Sequence, residues 1–280
     1  MKARVLAFVA LILGMVACQN ESDFDNVATE EMHLTVSIDE VATRTESDNG
    51  FDLSTLGTKY ELRFILEVYN LGNEKHTAQQ IAYSTTTSTT FKVELPTNRN
   101  YRFVVWADIV EKDERSDLHY KTTDGLTNIS LRSEWKPNDE TRDAYTAYID
   151  VLGYSGSSNI DALTLARPFA KVRVVSTNAS TSTAKMSVNY SSELPTTFNA
   201  YNGTVGGNGL KSHDTFNIAN YTDDNGSKTL FTDYIFATKE SSVLAWTFTT
   251  YDNAGNELNS YNFNSTNIKR NTLTTIKGNF

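Results

Sequence analysis

Tyr60-Glu61-Leu62-Arg63-Phe64-Ile65-Leu66-Glu67-Val68 decides the fold class. Tyr60, Leu62, Phe64, Leu66 and Val68 fall on every second position and alternate with Lys59, Glu61, Arg63 and Glu67. A period of two places the apolar set on one side of an extended chain and the charged set on the other. The stretch therefore predicts a β-strand with one wet face.

The same period recurs outward in both directions. Phe91, Val93 and Leu95 alternate with Lys92 and Glu94, and Tyr101, Phe103, Val105, Ala107 and Ile109 share one side of another strand. Ala170, Val172 and Val174 alternate with Lys171 and Arg173, and Leu244, Trp246 and Phe248 with Ala245, Thr247 and Thr249. Half-wet strands belong to antiparallel sheets, since strands of parallel sheets are apolar on both sides. Turn residues agree. Asp252-Asn253-Ala254-Gly255-Asn256 separates two strand-like runs as a hairpin loop, and Asn202-Gly203 and Asp224-Asn225-Gly226 are further turns. The abundant threonine suits strands. No helical period is sustained, although Glu111–Asp117 and Asp139–Tyr145 are each open to a short helix or a loop. Many short strands spread over two halves predict an all-β chain with two tandem antiparallel β-sandwich domains.

The N-terminus reads differently. Lys2 and Arg4 precede the apolar run Val5–Leu13, and Gly14-Met15-Val16-Ala17 leads to Cys18. This is the layout of a secretory signal peptide, and the run falls short of the roughly 20 apolar residues of a spanning helix. The small residues before Cys18 resemble a bacterial lipobox, whose cysteine is lipidated and becomes the first mature residue. Cys18 is the sole cysteine, so the chain forms no internal disulfide. A lipid contributes about 0.8 kcal/mol per buried CH₂, and stable anchoring takes more than one acyl chain, as bacterial lipoproteins carry. The reading divides the chain into a signal peptide (1–17), a lipidated linker (18–31), a first sandwich (32–166) and a second (167–280), joined near Arg167-Pro168, where proline cannot donate to a ladder. A second thin linker candidate is Gly153-Tyr154-Ser155-Gly156-Ser157-Ser158-Asn159.

Composition excludes several classes. Fourteen Tyr, 14 Phe and 3 Trp supply a core although hydrophobic residues total only 39 %. The formal net charge is −9 and becomes two units more negative without Lys2 and Arg4, which argues against nucleic acid as a partner. Motifs of chemistry fail on context. His33, His76, His119 and His213 stand far apart, with no pair at metal-ligand spacing, so each is read as a surface or strand residue. Gly153-Tyr154-Ser155-Gly156-Ser157 ends in Ser where a nucleophile elbow has Gly, and Gly206-Gly207-Asn208-Gly209 lacks the Lys of a phosphate loop and reads as a hairpin tip. Asp223-Asp224-Asn225-Gly226 lacks the later bidentate Glu of a calcium loop and reads as a turn. No cofactor is expected, and the chain is read as non-enzymatic.

Five stretches carry a resemblance. Tyr101-Arg102-Phe103-Val104-Val105-Trp106-Ala107, Leu126-Thr127-Asn128-Ile129, Glu140-Thr141-Arg142-Asp143-Ala144 and Leu163-Thr164-Leu165-Ala166-Arg167-Pro168-Phe169-Ala170-Lys171-Val172 follow one another in order. The closing segment runs Ile268-Lys269-Arg270-Asn271-Thr272-Leu273-Thr274-Thr275-Ile276-Lys277-Gly278-Asn279-Phe280. Together they resemble the fimbrillin-like lipoproteins, which include type V pilus subunits and relatives of unknown function. The resemblance implies two transthyretin-like sandwiches, an outer-membrane lipid anchor with surface export signalled by Glu21, Asp23 and Asp25, and pilus subunits as partners. In polymerising members an arginine-specific protease frees the first strand, and a neighbour's terminal segment fills the groove by strand addition. The matching strand is Leu34-Thr35-Val36-Ser37-Ile38-Asp39-Glu40-Val41, with core positions Leu34, Val36, Ile38 and Val41, and Arg44 is the candidate cleavage site. Polymerising relatives continue past the final Gly-x-Phe into a donor tail, whereas this sequence stops at Phe280, which favours an anchor, tip or stand-alone role.

Two rival readings differ in class. A carbohydrate-binding surface protein would recognise a host or other glycan with aromatics such as Tyr251, Tyr261 and Trp135. A surface hydrolase would need two facing carboxylates with shifted pKa values in a pocket.

Overall fold

The structure, a computed structural model, describes residues 28–38, 51–132, 135–156, 159–177, 182–219, 221–222 and 226–280. The described residues form five β-sheets. In the first sandwich, β1 (Thr29–Ile38) lies between β4 (Ser88–Pro96) and β9 (Asn159–Leu165). This sheet faces a second one ordered β3 (Lys75–Ser84), β2 (Tyr60–Asn70), β5 (Arg99–Glu111) and β8 (Ala144–Tyr154). The second sandwich pairs β15 (Tyr221–Thr222), β16 (Lys228–Phe236), β10 (Phe169–Ser176) and β19 (Thr272–Gly278) in one sheet. Its other sheet is ordered β14 (Leu210–Asn217), β11 (Lys185–Leu194), β17 (Ser242–Tyr251) and β18 (Glu257–Ile268).

The two sandwiches share one wiring. β1 pairs antiparallel with β4 and parallel with β9, as β10 pairs antiparallel with β16 and parallel with β19. The two parallel pairs were not expected from half-wet strands. They arise because the last strand of each sandwich returns beside its first, a long crossover that parallel pairing requires. A fifth sheet draws on both halves, with β6 (Tyr120–Lys121), β7 (Ile129–Leu131), β12 (Thr197–Asn199) and β13 (Thr204–Gly206) joined edge to edge. The loop Gly207-Asn208-Gly209 therefore leads from this small sheet to β14 in another sheet and is not a hairpin tip.

Three apolar cores result. Leu62, Phe64, Leu66 and Val68 meet Leu34, Val36, Phe91 and Phe103 in the first, and Val172, Val188, Phe231, Trp246 and Phe248 fill the second. The third lies between the sandwiches, where Ile65, Val104 and Trp106 on the back of one sheet meet Phe169, Tyr234 and Phe236 on the back of another, with Phe198 and Tyr120 from the small sheet. This third core corrects the expectation of one wet face for β2 and β10. Glu61, Arg63, Glu67 and Lys171 are all buried: Arg115, Asp117 and Leu126, from the stretch after β5, close over the charges of β2, and Glu140 of the first half meets Lys171. β4 keeps its wet face, with Lys92 and Glu94 exposed. The hairpin at Asp252–Asn256 forms as read, closed by the Asn256 N–H on the Asp252 carboxylate at 2.8 Å. Glu111–Asp117 is not helical, and Asp139–Tyr145 holds a single 3-10 turn at Glu140–Arg142 before β8 begins.

Candidate functional site

The first strand is held by side chains on one face and by ladders on both edges. Met32, Leu34 and Val36 are fully enclosed and Ile38 is 4 % exposed, whereas Glu31 and Thr35 point to solvent. Leu34 stands opposite Phe91 on β4, and Val36 opposite Leu163 on β9. A register shift between Leu34 and Val36 on the β9 side marks a bulge. The strand begins at Thr29, five positions before the expected Leu34. Tyr154 donates its hydroxyl to the Glu30 carbonyl at 2.9 Å, and Thr97 donates its backbone N–H to the Ala28 carbonyl at 2.9 Å, so the start of the strand is also secured. Val41, the candidate cleavage residue Arg44 and the candidate lipidated residue Cys18 lie outside the described residues.

The passage between the halves is built from buried charge. Arg167 follows β9 and forms a bidentate pair with Asp143, with Nε–Oδ1 at 2.7 Å and Nη2–Oδ2 at 2.5 Å. Tyr145 donates to the same carboxylate at 2.9 Å, and the Asn271 side chain accepts the Arg167 N–H at 3.2 Å. Burial and the Asp143 charge raise the Tyr145 hydroxyl pKa well above the ordinary phenol value. Glu140 accepts from Lys171 at 2.6 Å, Tyr234 at 2.5 Å and Thr232 at 2.9 Å, so one carboxylate joins the 3-10 turn to two strands of the second sandwich. The landmarks quoted from the sequence, Glu140, Asp143, Arg167 and Asn271, thus meet in space as a latch. Their reach is explained by the rule that buried charges must be paired.

Asp233 was not singled out by sequence reasoning, because a lone Asp in an apolar strand gives no periodic signal. It is enclosed and accepts from Tyr190 at 2.6 Å, His213 at 2.9 Å and Trp135 at 2.7 Å. Although burial alone would raise it, His213 and the other donors hold its pKa below the usual carboxylate range. Of the other histidines, His33 sits beside Glu31 on the surface and His76 edges against Tyr69. His119 bonds Thr141 at 2.7 Å in a half-buried site. Among the described residues no group of three or more His, Cys, Asp or Glu is placed to hold a metal ion. Tyr261 is packed against Phe248 and Phe280 at 4.9 and 5.1 Å, and Tyr251 reaches Ser187 at 3.1 Å. Trp135, Tyr251 and Tyr261 are each half-buried, Trp135 being bonded to Asp233. Among the described residues, no helix is long and apolar enough to cross a membrane.

A model of a family of unknown function, DUF6562, matches residues 24–280. The chain belongs to that family. No curated protein matches it in sequence. Several proteins of known structure are similar in fold. The tip fimbrial protein Mfa3 from Porphyromonas gingivalis is 10 % identical at a TM-score of 0.50, over 85 % of this chain and 81 % of that one. A putative adhesin from Bacteroides ovatus is 15 % identical at a TM-score of 0.50, over 84 % of this chain and 76 % of that one. A putative cell adhesion protein from the same species is 11 % identical at 0.50, over 89 % and 92 %. At such identities the likeness shows the fold alone, a double β-sandwich shared with these fimbrial and adhesin structures.

Proposed function

We propose that this DUF6562 protein is a non-catalytic cell-surface lipoprotein of pilus assembly or adhesion, held to the outer membrane through Cys18, with β1 as an exchangeable strand. The observation that supports this most is the seat of β1. It is the middle strand of its sheet, yet it is the N-terminal one and its connection to the rest runs through the segment that contains Arg44. Its counterpart β10 is covered on both faces, with Phe169, Lys171 and Val175 buried on the outer side, and follows β9 directly. β1 is wet on its outer face and so can leave without uncovering a second core.

Leaving has a cost that shapes the mechanism. Each fully buried aliphatic side chain stabilises by roughly 1.5–3 kcal/mol, so the four of β1 together rival the 5–15 kcal/mol that stabilises a whole domain. A groove emptied of β1 must therefore be refilled, and a strand with the same apolar alternation from another subunit is the natural replacement. The non-catalytic reading is supported by the fate of the buried carboxylates. Asp108, Asp143 and Asp233 are each tied by two or more donors inside the fold.

The test uses protein starting after Cys18, treated with an arginine-specific protease and followed by mass spectrometry and denaturant-free electrophoresis. Cleavage at Arg44, exchange of the freed strand for a labelled copy of residues 29–41 and a ladder of oligomers are expected. Retention of every residue before Thr45 with no ladder would reject strand exchange. An Arg44→Ala variant that still yields the ladder would reject the cleavage site.

A further inference from the structure

The chain is acidic overall, yet three cations converge on the seam between the sandwiches with one carboxylate beside them. Arg102 on β5 lies between the rings of Tyr148 and Tyr201, 4.5 and 4.6 Å from their centres. Asp150 holds it bidentately, with both bonds at 2.7 Å, and its Nη1 donates to the Tyr201 carbonyl at 3.0 Å. On the far side, Arg270 donates Nε to the Ala237 carbonyl at 2.8 Å and Nη2 to the Gly203 carbonyl at 2.5 Å, while its plane covers Phe198. Lys239 closes the circuit. Its neighbour Thr238 accepts the Arg270 backbone N–H at 3.1 Å, and its ammonium stands 5.9 Å from the Tyr148 ring.

Two features separate this patch from an ordinary solvated surface. Arg270 and Lys239 pair with no carboxylate among the described residues, and burial depresses the Arg270 pKa, so its charge is held at a cost that no anion of the fold offsets. Gly203, at φ +73°, admits the guanidinium, since a Cβ there would lie 2.9 Å from Arg270 Nη1. Beside these cations, Tyr148 projects from β8 and is 36 % exposed. A half-buried cation, an exposed cation and an exposed aromatic ring adjoin one another.

We propose that this seam binds an acidic saccharide, the apolar side of a pyranose resting on Tyr148 and its carboxylate lying between Arg270 and Lys239. An extended anionic surface is disfavoured, because two unpaired cations do not offset the net charge of −9 against a membrane or a nucleic acid. A single carboxylate is matched by charge-assisted bonds to the two cations. The proposal does not depend on strand exchange at β1.

The experiment titrates the protein starting after Cys18 with tri-galacturonate, with maltotriose as the neutral counterpart, by calorimetry and by amide chemical shifts. Tri-galacturonate is expected to bind at least tenfold more tightly than maltotriose, more weakly as salt rises. Lys239→Ala and Tyr148→Ala, both at exposed positions, are each expected to weaken it about fivefold to tenfold with the melting temperature unchanged. The proposal is overturned by no binding at millimolar uronide, by equal affinity for the two sugars, by binding that both substitutions leave intact, or by full displacement with phosphatidylglycerol vesicles.

Discussion

At the residue scale, the molecule depends on charges that have been taken out of water and paired. Asp143 is 1 % and Arg167 8 % exposed at the side chain. Removing the carboxylate leaves a buried guanidinium without its counter-charge, so Asp143→Ala is expected to cost about 3–5 kcal/mol in urea unfolding. His119 gives a pH dependence of definite sign. Burial pushes its pKa down to about 4, against the pull of Asp139 at 3.6 Å. Its unfolded value is about 6.5, so between pH 6.5 and 4 the unfolded chain binds the extra proton. The histidine's contribution is complete above pH 6.5 and is lost as the pH falls towards 4. Unfolding at a series of pH values should show roughly 3 kcal/mol of lost stability from this source, and His119→Gln should remove that part of the slope. An unchanged slope in the variant would contradict the assignment.

At the scale of the element, β1 and β2 carry the same period but different fates. β1 alternates buried and exposed residues, as the pattern predicts, while every residue from Glu61 to Tyr69 in β2 is buried. The charged side chains of β2 survive burial because each finds partners from elsewhere in the chain. Arg63 bonds Asp108 and Asp117, and Glu67 accepts from Tyr69, Gln79 and the Leu126 N–H. For β1, Leu34→Ala is expected to cost about 2–5 kcal/mol and Thr35→Ala less than about 0.5 kcal/mol, measured by chemical denaturation of uncleaved protein. Equal costs for the two would mean that the inward face of β1 does not hold the first sandwich together.

At the scale of the whole molecule, the third core couples the halves. Phe169 stacks on Phe236 at 5.0 Å, Phe236 on Phe198 at 5.5 Å, and Tyr120 on Phe169 at 5.6 Å. The small sheet adds hydrogen bonds across the same boundary through β7 and β12. Two sandwiches tied in this way are expected to unfold together, with backbone and aromatic signals lost at the same denaturant concentration. Phe236→Ala should cost about 3–5 kcal/mol and pull the two signals apart. Separate transitions in the unaltered protein would show that the junction does not couple them.

The amino-acid pattern by itself determined the extended character of the chain and the apolar set of its strands, because side-chain alternation acts over a few residues. The resemblance in ordered motifs added the double sandwich and marked Glu140, Asp143 and Asn271 without saying what they do. Tertiary structure alone decided which second faces are covered, which carboxylate meets Arg167 or His213, and that the cations at 102, 239 and 270 share one seam. These facts rest on contacts between residues up to about a hundred positions apart, such as Arg167 with Asn271, and on the desolvation that such contacts impose. Local periodicity carries no record of either, since a charged residue reads as solvent-facing until the rest of the chain closes over it.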